Sequence, residues 1–229
     1  MNPELIIMLT HNDVTVSNAR EMFCALKTLP VQHWGFKDVG LPADEMRGLV
    51  AEMGNAGKTT YLEVVSLSEP EGLAGARLAV ASGFDILMGT VYFDSIRQYL
   101  ANTPVKYFPF LGQVHGHPSI LTGTLDEIVA HARFLEAQGV DGLDLLTYRY
   151  TGDAPQLLTA VVQATRLQIV SAGSIDSFER IAQVKRAGAW AFTVGTAFFD
   201  ARFVPGGSFQ ANSMAVWDAL HGPEARPEA

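Results

Sequence analysis

Short β-rich apolar runs alternate with amphipathic segments of helix length, eight times over along the chain. The pattern predicts strands over residues 5–12, 33–39, 59–66, 85–89, 105–114, 142–148, 168–172 and 189–195. Between them it predicts helices over 16–28, 42–56, 70–82, 94–101, 125–138, 154–165 and 177–187, with a last helix over 210–220. Pro42 suits a first helical turn, and Gly57, Gly83, Gly139 and Gly188 each follow a helix directly before a strand. A glycine there takes the left-handed conformation cheaply and turns the chain into the next strand. Eight βα units in 229 residues point to a closed parallel (β/α)8 TIM barrel. The competing open sheet lacks support, because no G-x-G-x-x-G follows the first strand. No polar linker divides the chain, so residues 1–222 read as one domain and 223–229 as a frayed tail.

Composition narrows the partners. With a formal charge of −8, the chain offers no broad cationic face for nucleic acid or an anionic membrane surface. Apolar runs fall short of the roughly 18 residues of a membrane span, and residues 1–13 lack the layout of a secretory leader. The single cysteine, Cys24, reads as a small buried hydrophobe within the first helix. Together these features make the cytoplasm the expected compartment, and apolar helix faces permit a homo-oligomer.

The strongest local signal lies at the ends of strands seven and eight. There the chain reads Ser171-Ala172-Gly173-Ser174-Ile175 and Val194-Gly195-Thr196-Ala197-Phe198-Phe199. Glycines at such junctions let a bound group approach the backbone, and main-chain N–H groups with a following helix N-terminus suit an anion. By these motifs the last third of the chain resembles the phosphate-binding, ribulose-phosphate-type barrels, a group that includes epimerases and enzymes of histidine and tryptophan biosynthesis. The resemblance implies that Gly173, Ser174, Gly195 and Thr196 hold the phosphate of a small phosphorylated metabolite. Many members of the group carry two glycines after strand seven, whereas Ser174 stands second here.

Side-chain alternation then places candidate chemistry in the barrel. Lys37 shares a strand face with Gly35, Glu63 with Tyr61, and Asp144 points opposite to Leu143 and Leu145. Lys37 and Glu63 fall at similar height on adjacent strands, with Asp144 across the interior. A lysine and carboxylates in an apolar interior suit proton transfer: a carboxylate as base, the lysine as acid or oxyanion stabiliser. A Schiff base through Lys37 is the alternative chemistry. At the end of strand one, His11 or Asn12 reaches the same mouth, the pleat phase deciding which; His11 is the catalytic candidate. Tyr148-Arg149-Tyr150 offers a cation and an aromatic lid. His115 and His117 form an H-x-H pair without a third ligand at diagnostic spacing, so no metal is expected, nor any other cofactor. Gly57-Lys58-Thr59-Thr60 imitates the end of a P-loop, but Glu52 occupies the place of the first glycine and the strand–helix order is reversed.

The expected activity is that of an isomerase, epimerase or lyase acting on a phosphorylated carbonyl compound or sugar phosphate. Its rivals are an aldolase using Lys37 and a non-catalytic, phosphometabolite-binding regulatory barrel similar in plan to glycerol-3-phosphate-responsive antiterminators.

Overall fold

The computed structural model describes residues 2–222; the tail expected over 223–229 lies outside the described residues. Eight parallel strands form the barrel: β1 Glu4–Met8, β2 His33–Lys37, β3 Thr59–Ser66, β4 Ile86–Thr90, β5 Lys106–Phe108, β6 Gly142–Leu145, β7 Gln168–Ser171 and β8 Ala191–Val194. Their order around the sheet is β6-β7-β8-β1-β2-β3-β4-β5. The seam between β5 and β6 is closed by Asp144 N donating to Pro109 O and Leu111 N to Asp144 O, both at 2.9 Å. Outside lie α1 Ala19–Leu26, α2 Ala43–Asn55, α3 Glu69–Ser82, α4 Asp94–Leu100, α5 Leu125–Ala137, α6 Ala154–Ala164 and α7 Phe178–Ala187. A one-turn helix, α8 Thr196–Phe199, and α9 Phe209–His221 complete the chain.

Local chemistry explains the helix ends. Thr124 and Glu127 form a capping box on α5, and Asp153, Ser177 and Ser208 cap α6, α7 and α9 by accepting from backbone N–H groups. The four glycines read as helix stops all have positive φ, from +69° to +79°. Close packing fixes the strand phase. A Cβ on Gly35 would lie 2.8 Å from Met8 Sδ and from Tyr61 Cβ inside the barrel. One on Gly75 of α3 would lie 2.7 Å from Val64, which therefore faces outward. Lys37 and Glu63 are register partners.

Three expected strands run too far, and each shortening shapes the mouth. β1 stops at Met8; Thr10–His11 then pairs antiparallel with Val14–Thr15 across Asn12 and Asp13, at φ 50° and 63°. Asn and Asp tolerate this left-handed conformation best among residues with a Cβ, so they supply a tight hairpin turn. β5 ends at Phe108 because Pro109 has no N–H for the ladder, and Gln113–His115 turns back to pair with Ile120–Thr122. β6 ends at Leu145, and Thr147–Arg149 winds into a 3-10 turn. Cys24 is also a correction: it is exposed, on the outer face of α1, and donates to Glu52 Oε2 at 3.0 Å. Phe23, its neighbour, fills the core position instead. No helix among the described residues is long and apolar enough to cross a membrane.

Candidate functional site at the barrel mouth

A cavity of about 390 Å³ opens at the C-terminal ends of the strands, the end where barrels of this architecture carry their sites. Lys37 and Glu63 form part of its wall, as do Gly173, Ser174, Gly195 and Thr196. The hairpin after β1 contributes Thr10, Asn12 and Asp13, the 3-10 turn after β6 contributes Arg149, and the segment after α8 contributes Asp200 and Arg202.

The charged centre is compact. Lys37 Nζ donates to Asp13 Oδ1 at 2.7 Å and lies 3.3 Å from Glu63 Oε1. Burial works to lower the lysine pKa, but the charges of Glu63 and Asp13 outweigh it, so the ammonium is held above its usual value. For Asp13 burial works upward, yet the Lys37 hydrogen bond and charge, with Arg149 behind them, keep this carboxyl below the ordinary range. Asp144 behaves in the opposite way. It is completely buried, neither carboxyl oxygen has a hydrogen-bond partner among the described residues, and it does not line the cavity. Burial and the nearby Glu63 charge push its pKa well up from the ordinary carboxylate range.

The glycine turns are built for more than ligand approach. A Cβ on Gly195 would lie 2.7 Å from Thr10 O, and one on Gly173 would lie 3.0 Å from Arg149 Cδ and Nε. Gly195 therefore admits the β1 hairpin, and Gly173 admits the Arg149 side chain across its turn. Gly173 sits at φ +75° and Ser174 at φ +58°, the latter a costly backbone for a residue with a Cβ. Among the described residues, the backbone N–H groups of Gly173, Ser174 and Ile175 have no acceptor. At the start of α8 the N–H groups of Thr196 and Ala197 likewise have no acceptor among the described residues, whereas Phe198 N donates to Gly195 O at 2.9 Å. Thr196 Oγ1 accepts from Asn12 N at 3.0 Å, tying the β1 hairpin to α8.

The hairpin after β1, rather than a strand pleat, settles the choice left open on strand one. Asn12 lines the cavity, while His11 sits on the rim, stacked on Phe199 and 3.0 Å from Asp200 Oδ1. His115 and His117 are exposed on the hairpin after β5. No group of three or more His, Cys, Asp or Glu among the described residues is arranged to hold a metal. Asp13, Asp200 and Arg202 line the cavity without having been expected there, and Arg149 is the cation expected from the Tyr148-Arg149-Tyr150 segment. The Asn12-Asp13 dipeptide between Thr10-His11 and Val14-Thr15 is a hairpin signal that could have found Asp13.

The fold is similar to that of several solved barrels. One is the orotidine 5'-phosphate decarboxylase of Pyrococcus horikoshii, at 17% identity and TM-score 0.67, covering 95% of this chain and 99% of that one. A second is the N-acetylmannosamine-6-phosphate 2-epimerase of Clostridium perfringens, at 11% identity and TM-score 0.63, covering 85% and 86%. A third is a glycerol uptake operon antiterminator regulatory protein of Listeria monocytogenes, at 14% identity and TM-score 0.59, covering 86% and 93%. No family model and no curated protein matches the sequence. The likeness establishes the fold; at these identities it leaves the reaction to be argued from the site.

Proposed function

We propose that the protein is an enzyme acting on a small phosphorylated carbonyl compound or sugar phosphate by proton transfer, as an isomerase, epimerase or lyase. The observation that carries this reading is a buried ammonium, Lys37, fixed between Asp13 and Glu63 on the wall of a cavity. Gly173, Ser174 and Ile175, whose backbone N–H groups lack acceptors among the described residues, line the same cavity. Gly173, Ser174, Gly195 and Thr196 would hold the phosphate, and binding there would orient the reacting carbon toward the charged centre. Glu63 is the base that accepts a proton from carbon, and Lys37 stabilises the oxyanion that develops on the carbonyl.

The elevated Lys37 pKa weighs against the aldolase alternative, since a Schiff base needs a free amine. A fold neighbour named as an antiterminator keeps a regulatory reading in play, while the −8 charge works against RNA contact. Borohydride trapping of a panel member on Lys37 would mark the aldolase, and the regulatory reading meets a second experiment. A panel of sugar phosphates and small phosphorylated ketones and aldehydes is incubated in D2O, and exchange at carbon is followed by NMR for the wild type and Lys37→Met. Exchange that Lys37→Met abolishes supports the enzyme. Tight binding of a panel member without exchange or turnover overturns it in favour of the regulator.

A further inference from the structure

A single oxygen, Asp13 Oδ1, accepts from two cations: Lys37 Nζ at 2.7 Å and Arg149 at 3.4 Å. Arg149 rises from the 3-10 turn after β6, crosses Gly173 and donates from Nε to Ser174 Oγ, also at 3.4 Å. Both of its bonds are at the long limit, so the guanidinium is held loosely. On one side of it stands a carboxylate that Lys37 already satisfies. On the other lies the turn whose N–H groups lack acceptors. The planar fork of an arginine matches a phosphate far better than a shared carboxylate oxygen at such a distance.

Resting on the reading that this corner takes a phosphate, we infer that Arg149 is the side-chain ligand of that phosphate and Asp13 its competing counter-ion. An arriving dianion draws the guanidinium off Asp13 and onto itself, over the Gly173 turn. Asp13 is then left with Lys37 alone. Losing one neighbouring cation raises the proton affinity of Asp13, so occupancy of the phosphate corner changes the charged centre across the cavity. Arg149 is thus a binding residue and Asp13 a positioning residue, and neither role follows from the glycine motifs.

The test is a double-mutant cycle read with inorganic phosphate, by calorimetry and by NMR shifts, on protein whose melting profile shows it folded. Arg149→Met weakens phosphate binding about tenfold or more. Asp13→Asn, which tolerates the same left-handed backbone, tightens it about fivefold by removing the competitor. In the Arg149→Met background the gain from Asp13→Asn shrinks to that of Asp200→Asn, which removes the same charge from the same cavity. Arg149→Lys, which retains charge without the fork, falls between wild type and Arg149→Met and covers the case where methionine fails to fold. Equal gains from Asp13→Asn in both backgrounds overturn the competition while leaving the phosphate site standing. Failure of every variant and the wild type to bind phosphate overturns the phosphate reading, and this inference with it.

Discussion

The two ends of the barrel are built to different standards. At the N-terminal end of the strands, polar side chains close on one another. Asp85 Oδ2 accepts from Thr60 N at 2.7 Å and Thr60 Oγ1 at 2.8 Å, while Asp85 N donates back to Thr60 Oγ1 at 3.0 Å. His33 Nδ1 meets Tyr61 OH at 2.8 Å, and Lys58 Nζ donates to Leu29 O and Val31 O, each at 2.9 Å. At the mouth, a carboxyl, Asp144, is buried without a hydrogen-bond partner among the described residues, as is the Thr10 hydroxyl; at the other end only the hydroxyls of Ser82 and Thr165 are left so. All four non-glycine residues with positive φ among the described residues, Asn12, Asp13, Ser174 and Ala201, lie in the loops of that end. Strained backbone costs stability, and among the described residues it clusters at the end that carries the cavity. One end holds the barrel together, and the other spends part of that stability on poised groups.

The largest test of this contrast is Lys37→Met, for which proton exchange at carbon should fall about a hundredfold or more, with the fold retained. Exchange that persists at the wild-type rate would remove the lysine from the chemistry. Next comes the pH dependence of the lower end. Burial pushes His33 down to about 4, from 6.5 in the unfolded chain. As pH falls the unfolded chain takes up the proton first, so the contribution of a neutral His33 is complete above 6.5 and is lost toward 4. That loss is about 3 kcal/mol, and His33→Gln should flatten it in denaturant titrations across this window.

Asp144 has the opposite slope. Its folded pKa lies well above the unfolded 3.8, so its ionisation costs nothing below 3.8 and progressively more stability as pH rises, on top of the pH-independent cost of burying an unpaired carboxyl. Asp144→Val should therefore stabilise the protein by about 2 kcal/mol at pH 7 and by less at pH 4. A loss of stability at both pH values would mean that the carboxyl has a partner after all. The smallest effect belongs to Ser174→Gly, which relieves the left-handed backbone and should raise stability by about half a kcal/mol against the flexibility gained by the unfolded chain. A decrease in the melting temperature would indicate that the Ser174 hydroxyl contributes more than its backbone costs.

Legibility followed the same division. Helix stops at Gly57, Gly83, Gly139 and Gly188 could be read because a C-terminal glycine acts through its own backbone. The inward phase of Lys37 and Glu63 could be read because alternation is local to a strand. Asp13 and Arg149 could not be placed so simply. Arg149 reaches the cavity because β6 ends at Leu145 and winds into a 3-10 turn, and Asp13 because β1 ends early in a hairpin. Cys24 was misplaced by one helical position, since Phe23 is the residue that packs inward.

By itself, the sequence determined the (β/α)8 alternation, the glycine turns after β7 and β8, and which faces of β2, β3 and β6 carry Lys37, Glu63 and Asp144. All of these follow from neighbours within a few residues. Only the tertiary structure decided that Asp13 sits between Lys37 and Arg149, residues 24 and 136 positions away, and that Asp144 is sealed without a partner. Those contacts depend on how barrel closure brings distant loops to one mouth, a geometry that no local pattern encodes.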